Sequence, residues 1–186
     1  MMDSERVKKA VRELLEAAGE NPDSPELKET PKRFADLFQK LMSGKTTDEK
    51  EILKTSHELK HDEMILIKDI PFYSLCEHHL LPFFGKCHVA YIPDKNKIAG
   101  LGRIAELVES KSKKLQIQER LTTEIAKSIM DNLEPKGVGV VLEATHLCME
   151  MAETKHTGAK VVTSAVHGLF RQDQKTREEF LQLIKD

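Results

Sequence analysis

Two short segments hold the residues that could do chemistry. Cys76-Glu77-His78-His79 gathers a thiol and two imidazoles, and His146-Leu147-Cys148, much later in the chain, adds another of each. Thiolate sulfur and imidazole nitrogen are the usual zinc donors; closed structural sites use four protein ligands, whereas catalytic ones use three and keep a position open for water. Cys76, His79 and Cys148 would supply those three, leaving His78 and His146 as acid–base groups of a hydrolytic Zn2+ site. A neighbouring His pair alone is an ordinary polar loop, and an isolated internal Cys usually packs as a small hydrophobe. The metal reading therefore rests on the convergence of two clusters. On a strand, i and i+2 share a face, so His146 and Cys148 are expected to approach the first cluster together. Cys87 has no partner in its strand pattern and reads as packing.

These side chains need a scaffold. From Ser4 to about Ala18, Val7, Val11, Leu14 and Leu15 recur at helical spacing, and Gly19 with the following Pro-rich run ends the pattern. A second helix is predicted from Thr30-Pro31, with Thr30 as N-cap, Pro31 at the first helical position, and Phe34, Leu37, Phe38 and Leu41 on its apolar face. Gly44 to Glu49 reads as a linker. The domain organisation expected is thus an N-terminal helical arm over 1–50 and a main body over 51–186.

In the body, 64–67 and 85–93 read as strands with the Cys76–His79 loop between them. A helix carrying Ile104, Leu107 and Val108 follows, then one carrying Leu121, Ile125, Ile129 and Met130. Runs from Val138 to Ala144 and from Val161 to Phe170 read as strands, and a last helix covers about Thr176 to Ile184. This order argues for an α+β domain, an antiparallel sheet with its helices segregated on one side.

At 186 residues the chain can bury one substantial core. Its net charge of −2 provides no electrostatic footprint for nucleic acid or an anionic membrane. No apolar run approaches the ~18 residues needed to span a bilayer. Three cysteines without a signal-peptide pattern point to a reducing compartment, hence the cytoplasm.

Several motifs in sequence carry a resemblance. Cys76 to Phe83, His88 to Pro93, Leu115 to Thr122, Glu143 to Met149 and Lys175 to Leu181 resemble successive motifs of the GTP cyclohydrolase I family, and the likeness runs from about Thr30 onward. The resemblance implies a tunnelling fold, in which sheets from several subunits close into a barrel, and a homodecamer with active sites at subunit interfaces. It implies GTP as substrate: hydrolytic opening of the guanine imidazole ring at C8, formate release and formation of dihydroneopterin triphosphate, the first step towards tetrahydrofolate.

Position by position, the likeness makes Cys76, His79 and Cys148 the zinc ligands. It makes His146 the group that protonates the purine and His78 the one acting at the ribose ring oxygen. Glu119 would accept from the guanine N1–H and amine, and Gln118 would contact the ribose; from composition alone the pair would be a solvated helix start. Arg33, in Thr30-Pro31-Lys32-Arg33, and Arg103 match positions that grip the triphosphate.

The departures cluster on that triphosphate. Gly102, Glu106, Ala152 and Asp36 stand where the family has a hydroxyl and three cations. Lys111, Lys113, Lys114, Lys155 and Lys160 are the nearby cations that could compensate. Beside the enzyme reading stand a paralogue acting on a guanine nucleotide or nucleoside with fewer phosphates, and a catalytically weak regulatory or structural paralogue. A nitrile reductase on the same fold would not need the zinc ligands.

Overall fold

The computed structural model describes residues 2–46, 48–56, 61–151 and 158–185. The chain divides into two compact units, Met1–Ser43 and Gly44–Asp186.

The first unit is a pair of packed helices, α1 (Ser4–Ala17) and α2 (Thr30–Leu41). The Asp3 carboxylate accepts from the Arg6 N–H at 3.0 Å and caps α1. Gly19, at φ 82°, supplies the left-handed turn after it. The cap of α2 is Glu29, so Thr30 is already helical, one residue earlier than the sequence suggested. Pro31 remains within the first turn, where its missing N–H would have found no helical partner anyway.

The described residues of the stretch expected as a linker carry helical turns. A 3-10 turn covers Ser43–Thr46, and Asp48 caps a short helix, α3 (Glu49–Ile52). Ile52 and Leu53 are buried in the core, which holds this segment in place. The remaining elements are β1 (Thr55–Ser56), β2 (Ile65–Cys76), β3 (Pro82–Ile92), β4 (Ile98–Ala99), α4 (Leu101–Ser112), β5 (Leu115–Gln116), α5 (Gln118–Leu133), β6 (Gly137–His146), α6 (Leu147–Glu150), β7 (Val161–Gly168), α7 (Leu169–Gln172) and α8 (Gln174–Lys185).

Five strands form one sheet in the order β5-β2-β3-β6-β7; β5 is parallel to β2 and every other pairing is antiparallel. The result is the mixed α+β architecture the sequence suggested. β2 is much longer than the 64–67 run because a bulge absorbs Lys68 and Asp69. The register shifts between Ile67 and Ile70, and Asp69 takes φ 59°. Past the bulge, Ile70, Phe72 and Ser74 are buried while Pro71 and Tyr73 face outward, so the strand regains its period of two.

Val89 and Tyr91 of β3 and Val138, Val140 and Leu142 of β6 turn to one face, where Ile104, Leu107, Leu121, Ile125 and Ile129 of α4 and α5 join them in the main core. The expectation that all helices lie on one side is corrected by a second cluster. Ala90, Ile92 and Val141 point to the opposite face and pack with Phe170 of α7 and Phe180 of α8. Gly139 makes this possible: a Cβ there would lie 2.8 Å from Phe170 Cδ1 and 2.9 Å from Phe180 Cε1. No described helix is long and apolar enough to cross a membrane.

Candidate metal and active site

β2 delivers Cys76 at its last position, and a tight turn returns the chain to β3. The Cys76 N–H donates to Leu81 O and the Leu80 N–H to Cys76 O, both at 2.9 Å. Leu80, at φ 56°, takes the left-handed conformation that closes the turn. This folds His79 back over Cys76, with Sγ and Nδ1 3.7 Å apart. The second cluster arrives on β6, which runs beside β3 with Phe83 opposite His146. Cys148 is not on the strand as expected: β6 ends at His146, and the first turn of α6 carries Cys148 inward.

The donor atoms of Cys76, His79 and Cys148 all lie within 4.8 Å of one another, so these three residues could hold one metal ion. The fit to zinc is chemical as well as spatial. Bonds of about 2.0–2.3 Å at tetrahedral angles put neighbouring donors roughly 3.5 Å apart, close to the 3.7 Å between Cys76 and His79. Burial, and then the adjacent Cys76 sulfur, push the Cys148 thiol above its ordinary range. Two neighbouring thiols resist ionising together, and a cation between them removes that resistance. Cys87 is fully buried, and burial alone raises its thiol; it packs in the core, as its sequence context indicated, and among the described residues it belongs to no metal-holding group.

His146 stacks on Phe83 with ring centroids 4.7 Å apart and planes 6° from parallel. Its Nε2 lies 2.7 Å from Gln118 Oε1. Burial lowers its pKa, and the charge of Glu119 opposes that shift. His78 differs: 65% of its side chain is exposed, and its Nε2 lies 3.9 Å from a Glu77 oxygen.

Gln118 and Glu119 open α5 and part company there. Glu119 is exposed. Gln118 is 1% exposed, far from the solvated helix start that composition would give. Its Nε2 lies near Val161 O, Leu142 O and Thr163 Oγ1, at 2.9, 3.2 and 3.1 Å. Sequence reasoning passed over Arg120, whose guanidinium pairs with the Glu77 carboxylate and reaches Leu115 O, tying the metal loop to α5. It sits inside the matched Gln-Glu-Arg motif, and that motif was the available signal. Phe83 was likewise visible only as a motif residue.

Arg33 is an exposed residue of α2. Arg103 lies in the first turn of α4, where its guanidinium donates at 2.8 Å to the carboxylate of Glu106. Lys111 pairs with Glu49, Lys113 with Glu109, Lys114 with Glu124 and Lys160 with Glu143. Ala152 and Lys155 lie outside the described residues.

The profile of the family described as GTP cyclohydrolase I matches residues 7–185. GTP cyclohydrolase 1 of Caldanaerobacter subterraneus subsp. tengcongensis is 55% identical over 99% of this chain and 98% of its own length. The protein of the same name from Thermoanaerobacter pseudethanolicus is 53% identical over the same shares, and that from Streptococcus agalactiae is 45% identical over 100% and 99%. Among solved structures, the archaeosine synthase QueF-Like in its apo form aligns at TM-score 0.47 and 18% identity, over 59% of this chain and 97% of that one, too slight a likeness to carry weight.

Proposed function

This chain belongs to the GTP cyclohydrolase I family and is a hydrolase of that family, and from that premise we propose that it is zinc-dependent and opens the imidazole ring of GTP at C8. C8 leaves as formate and the ribose carbons rearrange to give dihydroneopterin triphosphate. The observation that carries the reading is the Cys76–His79–Cys148 group, with a half-buried His146 at the end of β6, just before the helical turn that carries Cys148.

Cys76, His79 and Cys148 would hold the zinc. Zinc bound there supplies Lewis acidity, lowering the pKa of water toward about 7. His146 holds a proton at the purine, with its ring fixed by Phe83 and Gln118. His78, exposed on the loop, serves the ribose ring oxygen. Glu119 accepts from the guanine N1–H and exocyclic amine, and Arg33 and Arg103 remain for the phosphates. In the described sheet β7 is an outer strand with a free edge, which suits a tunnelling fold whose subunits close a barrel in a homodecamer. Three free thiols suit a cytoplasmic enzyme.

One observation favours a second reading, a substrate with fewer phosphates. Arg103 is engaged by Glu106, and Lys111, Lys113, Lys114 and Lys160 each already face a carboxylate. Recruiting any of them to phosphate means breaking an existing pair. The test of both readings is formate release from GTP, GDP, GMP and guanosine by the wild-type protein and by His146→Ala. Ring opening that persists in His146→Ala removes its acid role. Turnover of guanosine as efficient as that of GTP decides for the second reading.

A further inference from the structure

We infer that Gln118 is a positioning residue that fixes the orientation and tautomer of the His146 ring, placing the proton of the neutral ring on Nε2 and leaving Nδ1 bare. The inference rests on the reading of His146 as the proton-transfer group.

An amide side chain has one end that only accepts and one that only donates. One end of the Gln118 side chain meets two backbone carbonyls, Val161 O at 2.9 Å and Leu142 O at 3.2 Å. Carbonyl oxygens only accept, so the group opposite them must be the NH2. The reverse orientation would bury an oxygen against two oxygens. The third neighbour of the NH2, Thr163 Oγ1 at 3.1 Å, agrees with this assignment. The Thr122 hydroxyl donates to Gln118 O at 2.7 Å. At 2.6 Å from Thr163 Oγ1, the Thr122 oxygen then receives the Thr163 proton. Thr163 keeps a lone pair for the amide, and every hydroxyl proton in the chain is accounted for.

With the NH2 fixed, Oε1 has one orientation left, and it lies 2.7 Å from His146 Nε2. Oε1 can only accept, so Nε2 must carry a proton in the neutral as well as the protonated ring. Phe83, stacked at 4.7 Å, keeps the ring from turning out of this contact. Nε2 is therefore committed to the interior. The neutral ring is thereby held as the Nε2–H tautomer, with Nδ1 left bare. Gln118 acts through this histidine, which explains why a residue so deeply buried stands at the opening of α5.

The test is the 15N spectrum of histidine-labelled, metal-loaded enzyme under conditions where His146 is neutral, with its signals assigned by their loss in His146→Ala. The expected wild-type result is a protonated Nε2 and a bare Nδ1; a neutral ring protonated at Nδ1 overturns the inference without any variant being needed. Gln118→Met keeps the side-chain length and removes the acceptor. It is expected to mix the two tautomers and lower kcat by on the order of 10²-fold, with KM changed less than about threefold. Retention of the wild-type tautomer and of kcat within about twofold would overturn it. Gln118→Glu, protonated in this buried place, can donate to Val161 O and still offer an acceptor to Nε2, so it should restore the Nε2–H tautomer; a Glu variant with the Met variant's spectrum counts against the inference. Failure of the underlying reading looks different. His146→Ala would then keep releasing formate while the tautomer in the wild-type enzyme stays on Nε2.

Discussion

Replacing Glu106 by arginine separates the two substrate readings, because the structure sets both its cost and its gain. Arg103 and Glu106 lie 2.8 Å apart with about half of each side chain exposed, 52% and 46%. An exposed i,i+3 pair of this kind contributes at most about 1 kcal/mol, so the variant should melt within about 2–4 °C of the wild type. The substitution converts a neutral pair into two positive charges and frees Arg103. Each charge-assisted phosphate contact contributes about 1.5–3 kcal/mol, and the exposure seen here argues for the low end. At about 1.4 kcal/mol per tenfold, KM for GTP should fall roughly 10- to 100-fold. Guanosine, with no phosphate to grip, should keep its KM, and kcat should hardly move because the contacts are remote from C8. The assay is formate release from GTP and guanosine at low and high salt, with the GTP gain shrinking at high salt. An unchanged ratio of the two KM values would refute the assignment of this helix turn to the phosphates. A wild-type enzyme with a micromolar KM for GTP and a strong preference for it over GMP would show that the clamp has been rebuilt from other cations.

Cys148→Ser should weaken zinc retention at least about tenfold while leaving the sheet intact, as metal analysis and circular dichroism will show; full zinc occupancy would remove Cys148 from the ligand set. Gly139→Ala puts a methyl 2.8 Å from Phe170 and 2.9 Å from Phe180, a clash costing about 1–3 kcal/mol. A thermal midpoint unchanged from wild type would mean the aromatic pair simply moves aside. Light scattering should report a decamer, and a monomeric mass at micromolar concentration would contradict the barrel assembly.

The hydrophobic rhythm made the strands and helices around the core legible, because burial imposes a period on the residues that carry it. Cys76, His79 and Cys148 were legible as a donor set because two separated clusters of thiol and imidazole complete one another. What stayed hidden has physical reasons. β2 looked short because Lys68 and Asp69 break the apolar run, and a bulge that lets a polar pair leave the sheet has no periodic signature. The second core cluster was missed because Phe170 and Phe180 belong to separate elements, and only the missing Cβ of Gly139 lets them meet on that face. The helical position of Cys148 was missed because i, i+2 spacing is silent about where a strand stops. The network of Gln118 joins α5 to β6 and β7 through backbone carbonyls, and carbonyls are identical in every sequence.

The pairing of β3 with β6 has one more consequence. Phe83 faces His146 through a register that runs unbroken to Ile92 opposite Gly137. A slip of one residue would send His146 to the other face of the sheet and displace the Cys148 turn by about 3.3 Å along the strand, more than a metal–ligand bond length. A metal ion held by Cys76, His79 and Cys148 would therefore bind the correctly aligned sheet and reject its shifted neighbours. It would favour the native state in proportion to the logarithm of its free concentration over its dissociation constant, and so act as a proofreader of strand alignment during folding.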